Sequence, residues 1–336
     1  MGNPIDDGYR MPAEWAPHTR CWMSWPCEPE VFPDLPLGRD AYAAVARAIA
    51  RFEPVTMIAN PHHVANAQTR CGDTVEVLAI EIDDSWTRDT GPTYLVDGRG
   101  GLGGVDWPFN NYGELTPDYE NDKLVAGRIL KHSGARRFEA PFILEGGAIH
   151  TDGEGTLLTT ENVVLNPNRN PDLTKEKAEE VFRVHLGVEK VIWLDNALDV
   201  DSTDGHVDNL ACFVRPGVVA ALVAEDRADS QYAPLQENLE RLRSAQDAAG
   251  RSLEIIEICQ PSRREFQGER LPMSYINFYI ANGGIVLPVF DDPADKPAIE
   301  AIERAFPDRV VVPVPGINIV RSGGCVHCIT QQEPKP

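Results

Sequence analysis

Short β-branched runs alternate with helix-period segments along the whole chain, and no other feature restricts its fold as strongly. The runs fall at 55–59, 75–80, 191–194, 218–223, 253–258, 285–289 and 310–314, each rich in Val, Ile or Leu. Tyr42, Val45, Ile49 and Phe52 recur at helical spacing and predict a helix over 40–52. Thr174 can cap a second helix, carrying Val181, Phe182 and Leu186 and stopping at Gly187. Leu235, Leu239 and Leu242 mark a third, ended by Gly250, and Ile299, Ile302 and Phe306 a fourth, closed by Pro307. Alternating strands and helices place the chain in the α/β class. No Gly/Ser linker or low-complexity tract divides it, so residues 1–336 read as one domain.

Five glycine-bearing segments cut across this alternation, beginning at Gly103, Gly146, Gly205, Gly283 and Gly323. Their spacing is irregular. It suits a degenerate repeat whose strand-end glycines let backbone approach a central ligand channel. Ordinary turn glycines would look the same.

Charge excludes one class of partner. The formal net charge is −21, with 52 acidic against 31 basic residues, and a nucleic-acid binder needs a basic surface. An acidic balance serves solubility and can also draw in cationic small molecules. The first residues, MGNPIDDGYR, have neither a basic nor an apolar signal region, and position 6 is Asp where a myristoylation site has Ser or Thr. No run approaches the roughly 20 apolar residues of a membrane span. Seven cysteines, an odd number scattered over 336 residues, do not read as a disulfide framework. The expectation is a cytosolic protein without membrane or nucleic-acid partners.

Four motifs could carry chemistry. In Asp204-Gly205-His206-Val207-Asp208-Asn209, His206 and Asp208 share a face if extended, pairing a proton-transfer group with a cation-holding carboxylate. A metal half-site or a structural histidine fits the same pattern. Glu145 follows an apolar run and precedes two glycines, as strand-end acids at a site do and turn-capping acids also do. Asp83, Asp84 and Asp89 surround Trp86, although Arg88 offers them an internal salt bridge. Near the end, Cys325-Val326-His327-Cys328 admits zinc binding, thiol–disulfide exchange, or a nucleophilic cysteine helped by a distant histidine. No second Cys pair or His-x3-5-His completes a zinc site, and a redox motif would open a helix, so the nucleophile fits best. Walker, dinucleotide-binding, zinc-protease and Gly-x-Ser-x-Gly motifs are absent from the sequence.

Taken in order, these segments closely resemble the agmatine deiminase family of guanidine-modifying enzymes. The resemblance runs almost end to end. It includes Met11-Pro12-Ala13-Glu14-Trp15, Cys21-Trp22-Met23-Ser24-Trp25-Pro26, Trp86-Thr87-Arg88-Asp89-Thr90-Gly91-Pro92 and Glu145-Gly146-Gly147. It continues through Leu165-Asn166-Pro167-Asn168-Arg169-Asn170-Pro171, Asp204-Gly205-His206-Val207-Asp208-Asn209, Ser274-Tyr275-Ile276-Asn277-Phe278-Tyr279 and His327-Cys328-Ile329-Thr330-Gln331-Gln332. It implies a pentein fold, five ββαβ modules around a pseudo-fivefold axis with the site in the central channel. It also implies Cys328 as nucleophile, His206 as general acid and base, and Asp89 and Asp208 as carboxylates gripping a guanidinium. Glu145 would orient the histidine, and Trp86 and Trp25 are candidate channel-lining residues, core packing being the commoner role for the tryptophans of this chain.

The implied reaction hydrolyses agmatine to N-carbamoylputrescine and ammonia through a Cys-bound amidino intermediate, with no metal or cofactor. Agmatine is the implied partner, and the chain acts alone or as a homo-oligomer. Deimination of free or peptidyl arginine, amidino transfer, and non-catalytic polyamine binding are the alternatives. One departure stands out: Ser322 and Cys325 replace a Gly and an Asn of the family pattern beside Cys328.

Overall fold

The computed structural model describes residues 2–27, 31–199 and 201–336. Strand β1 (His18–Ser24) leads through the helix Leu35–Ile49 to β2 (Val55–Ala59), and the helix Val64–Cys71 leads on to β3 (Val75–Ala79). Next come β4 (Thr93–Val96), β5 (Leu102–Asp106), the helix Val125–Ser133 and β6 (Arg136–Glu139). The third stretch is β7 (Ile149–Thr151), β8 (Thr156–Thr160), the helix Lys175–Leu186 and β9 (Lys190–Leu194). The fourth is β10 (Ala211–Arg215), β11 (Val218–Val223), the helix Tyr232–Ser244 and β12 (Glu254–Cys259). A small ribbon, β13 (Glu265–Phe266) and β14 (Glu269–Arg270), precedes the fifth. That one is β15 (Tyr279–Ala281), β16 (Gly284–Val289), the helix Asp295–Ala305 and β17 (Val310–Pro315), and β18 (Thr330–Pro334) ends the chain.

One connection recurs. In the sheets β4-β5-β6, β7-β8-β9, β10-β11-β12 and β15-β16-β17, the first two strands are antiparallel and the third returns parallel after a helix. The remaining large sheet, β18-β1-β2-β3, completes the same pattern through the two ends of the chain. There β18 runs antiparallel to β1, with Cys21 opposite Gln332 and Met23 opposite Thr330, and β2 lies parallel to β1. This register fixes where Cys328, two residues before β18, must lie.

The helices follow their local chemistry, with two corrections. The first helix spans Leu35–Ile49 rather than 40–52, because the Asp34 carboxylate accepts from the Leu37 amide at 3.0 Å and Pro36 sits in the first turn. Tyr42, Val45 and Ile49 are buried on its inner face, and Phe52 lies beyond its end, its ring against Gly284. The helix Tyr232–Ser244 stops well before Gly250, which sits at φ +78° in the following turn. Thr174 and Gly187 do cap the helix Lys175–Leu186, the glycine in the left-handed region that spares a side chain its steric cost. No helix among the described residues is long and apolar enough to cross a membrane.

Candidate active site

Each large sheet is entered through a short, buried segment just before its first strand. These segments are Asp89–Gly91 before β4, Glu145–Gly147 before β7, His206–Asn209 before β10, Asn277 before β15 and Cys328 before β18. Only three of the five glycine segments noted in the sequence take part. Gly103 and Gly104 instead lie within β5, against Phe138 and Leu130, and Gly283 and Gly284 turn β15 into β16 beside Phe52. The equivalent positions there are held by Asp89 and Asn277.

The segments meet around His206, which is fully buried. Its Nδ1 lies 3.7 Å from Asp89 Oδ1 and its Nε2 3.7 Å from Glu145 Oε2. Neither ring nitrogen makes a hydrogen bond, so both are available to a reacting molecule. The Cys328 sulfur is 3.5 Å from Asp208 Oδ2, and Asn277 Nδ2 donates to it at 3.2 Å. Asp208 Oδ1 is buried and unpartnered. Gly147 sits at the centre. A Cβ built there would stand 2.5 Å from His206 Nδ1 and 3.0 Å from both Asp208 Oδ2 and Asp89 Oδ1. No side chain but hydrogen leaves the cluster intact.

Surrounding residues hold these groups. Asp89 accepts from the Gly147 amide at 2.8 Å and from the Tyr112 hydroxyl at 2.9 Å. Tyr112 comes from a run of left-handed backbone, with φ of 51° at Asn111, 54° at Tyr112, 87° at Gly113 and 66° at Glu114. Non-glycine residues held there cost about 1–3 kcal/mol each, as strained functional loops do. Arg169 donates Nε to Glu145 Oε1 at 2.8 Å and Nη1 to Asp204 Oδ2 at 2.6 Å, tying the acid to the loop that carries His206. Arg88 donates from its main-chain nitrogen to the Cys328 carbonyl at 3.1 Å.

A cavity of about 640 Å³ opens onto Cys328 and Asp89. Trp86 lines it, its indole N–H donating to Asp84 Oδ2 at 2.8 Å, and Tyr112, Asp83 and Asp118 line it too. Trp25 does not take the channel position expected for it. It is wholly buried in the hydrophobic core, its indole N–H donating to Asn66 at 3.3 Å. Cys325 is likewise a core residue, its sulfur near Gly316 and its thiol pushed up to about 12 by burial. Among the described residues, no group of three or more His, Cys, Asp or Glu side chains is arranged to hold a metal ion.

Burial sets the proton inventory. It pushes the Asp89 carboxyl up to about 6, against the pull of His206 and with the help of Asp208. For His206, burial favours the neutral ring, but Asp89, Glu145 and Asp208 outweigh it and raise the imidazole to about 9. Glu145 and Asp208 are also buried, yet each stays below the usual carboxylate range. His206 and Arg169 hold the first there, and His327, His206 and Arg88 the second. The Cys328 thiol is driven well above its ordinary value by burial, then by the negative charges of Asp208 and Asp89. At neutral pH the cluster therefore holds ionised carboxylates, an imidazolium and a protonated thiol.

Such a cluster can bind a planar cation through paired carboxylates, attack it with sulfur and move protons through imidazole. Known proteins resemble this chain along nearly its whole length. A family profile described as Porphyromonas-type peptidyl-arginine deiminase matches residues 10–334. The agmatine deiminase of Stutzerimonas stutzeri is 46% identical, the alignment covering 99% of this chain and 97% of that one. That of Pseudomonas aeruginosa is 44% identical over 100% of this chain and 99% of its own. The solved agmatine deiminase of Enterococcus faecalis superimposes with a TM-score of 0.96 at 36% identity, over 100% of this chain and 98% of that one.

Proposed function

The chain belongs to the agmatine deiminase family, related to the Porphyromonas-type peptidyl-arginine deiminases, and from that premise we propose that Cys328 is the nucleophile with which it hydrolyses agmatine to N-carbamoylputrescine and ammonia. One observation carries the assignment of residues. A thiol, an imidazole and three carboxylates, from four separate segments, share one buried cluster under one cavity. The cavity favours a substrate that is cationic at both ends. Asp83, Asp84, Asp89, Asp118 and Asp122 line it, and among its described lining residues there is no Lys or Arg to receive an α-carboxylate.

The steps follow from charge. Asp89 and Asp208 take the guanidinium through charge-assisted hydrogen bonds and set its carbon over the sulfur. The arriving positive charge offsets the field that keeps Cys328 protonated, and the thiol proton passes to solvent water. Sulfur then bonds to the guanidinium carbon. His206 gives its proton to one nitrogen, the C–N bond breaks, and ammonia leaves an amidino group on Cys328. The neutral imidazole next takes a proton from water, whose oxygen bonds to the same carbon. The C–S bond breaks as the new C–OH becomes a carbonyl, its proton passes to the thiolate, and carbamoylputrescine departs. Glu145 keeps the imidazole oriented and favours its charged form. These steps use side chains and water alone.

The same reading treats the five large sheets as pentein modules around a pseudo-fivefold axis, supported by the recurring hairpin–helix–strand order and by the site residues at equivalent sheet entrances. It takes 1–336 as one cytosolic catalytic unit whose partner is the small cation rather than a membrane or nucleic acid. The test is ammonia release from agmatine, free arginine and a blocked arginyl peptide, with Cys328→Ser as control. Agmatine alone should be turned over. Preferential release from either arginine substrate would move the assignment to the corresponding deiminase.

A further inference from the structure

His327, which immediately precedes the proposed nucleophile, takes no part in those steps, yet its surroundings are the most constrained in the cluster. The ring is buried, and each nitrogen faces a carboxylate. Nδ1 lies 2.9 Å from Asp208 Oδ2, and Nε2 lies 3.0 and 3.1 Å from the two oxygens of Glu14. A neutral imidazole has one N–H and one lone pair, so it would satisfy one contact and set lone pair against lone pair at the other. Only the imidazolium donates to both.

The neighbours are consistent with a fixed charge. Glu14 also faces Arg88 Nη1 at 3.2 Å and His150 Nε2 at 3.6 Å. His150 Nδ1 accepts from the Phe213 amide at 3.2 Å, which puts the His150 proton on Nε2 and leaves that ring a neutral donor. The charged groups facing His327 are therefore Glu14, Asp208 and Arg88. With the imidazolium they balance, two negative and two positive.

We propose that His327 is a positioning residue, a protonated bridge from Glu14 to Asp208 that fixes the plane of the Asp208 carboxylate. Oδ2 is committed to the bridge and Oδ1, buried and unpartnered, is the oxygen presented to the guanidinium. Glu14 thereby acts on substrate binding without touching substrate. The role assigned to Oδ1 rests on the proposed grip of Asp208 on the guanidinium, but the bridge itself does not. Burial and Arg88 disfavour the charged ring, and Glu14 and Asp208 overcome them, so the imidazole lies above its ordinary range.

Two readouts test the bridge, one independent of the substrate. In histidine-labelled wild-type protein, the 15N spectrum of His327 should show two protonated ring nitrogens at pH 7. A bare ring nitrogen there would overturn the proposal, whatever the enzyme hydrolyses. Glu14→Gln keeps the shape and an acceptor oxygen but removes the charge that holds the proton. It should let His327 titrate at lower pH and weaken agmatine binding increasingly as pH rises, with KM up roughly tenfold at the alkaline end. Glu14→Asp should keep the wild-type pH profile. Loss of activity in Glu14→Gln by one factor at every pH would mark a merely structural acid and refute the bridge.

Discussion

The side-chain amide of Asn277 donates to the Cys328 sulfur at 3.2 Å, and its carbonyl oxygen accepts from the His327 amide at 2.9 Å. One buried residue thus braces both the backbone and the sulfur of the proposed nucleophile. Its hydrogen bond to sulfur strengthens as the thiolate forms, because bonds to charged groups are worth about 1.5–3 kcal/mol. Asn277→Ala should therefore lower kcat by about 10- to 100-fold. Asn277→Asp should cost more, since it adds a carboxylate beside the sulfur. Alkylation of Cys328 against pH provides the check, with each variant showing a higher apparent thiol pKa than wild type. In wild type that pKa should itself lie well above neutrality, and a value below neutrality would contradict a protonated resting thiol.

Gly147 tests how tightly the cluster is packed. In Gly147→Ala the methyl would stand within 2.5 Å of His206 Nδ1, and displacing this buried ring is not compensated by any flexible neighbour. Overpacking of this kind costs about 1–3 kcal/mol of stability. Thermal melting should show a folded but weakened protein, with activity down at least about 100-fold, the effect expected when reacting groups are misplaced by about 1 Å.

The pH dependence follows from two raised groups. Burial puts Asp89 at about 6, so below that pH it becomes neutral and can no longer serve as the proposed anchor for the cation. His206 stands at about 9, raised by three carboxylates against burial, so above that pH it loses the proton that the proposed mechanism gives to the departing ammonia. A plot of kcat/KM against pH should be bell-shaped between these limbs. Asp89→Asn should remove the acid limb near 6 at a lowered plateau. His206 also contributes stability present below its ordinary value near 6.5 and lost as pH rises through about 9, so melting temperatures should fall over that interval in wild type and fall less in His206→Asn.

Arg169 is expected to matter for both fold and reaction. It pairs with Glu145 in a site closed to solvent, and breaking a buried pair from one side costs about 3–5 kcal/mol. Arg169→Met should destabilise the protein by about that much in urea titration. Its alkaline limb should also shift, since an unpaired Glu145 no longer supports the His206 charge unchanged.

Much of this was written in the sequence, but not evenly. Long Val- and Ile-rich runs such as those in β2, β11 and β16 announced themselves because they are buried or half-buried over five or six residues. The shorter strands did not. β7 has three residues, and β18 reads Thr-Gln-Gln-Glu-Pro, a polar tail by composition. That strand is nonetheless buried, because pairing with β1 satisfies its backbone and Glu333 accepts from the Trp22 indole at 2.8 Å. Cys328, His206, Asp208, Glu145 and Asp89 were legible as chemistry, and the structure brings them together. Asn277 was not, since an amide inside an apolar run carries no signal until the sulfur it faces is known. Trp25 misled for the opposite reason: a tryptophan beside a family motif looks like a channel wall, and its burial in the core depends on contacts far away in sequence.

The most direct measurement is the mass of Cys328 during turnover. Protein mixed with agmatine, quenched in acid within a turnover and digested should yield the Cys328 peptide carrying the mass of the amidino group derived from agmatine, and Cys328→Ser should yield neither adduct nor product. An unmodified Cys328 peptide throughout steady turnover, or undiminished turnover by the serine variant, would contradict covalent catalysis at this sulfur.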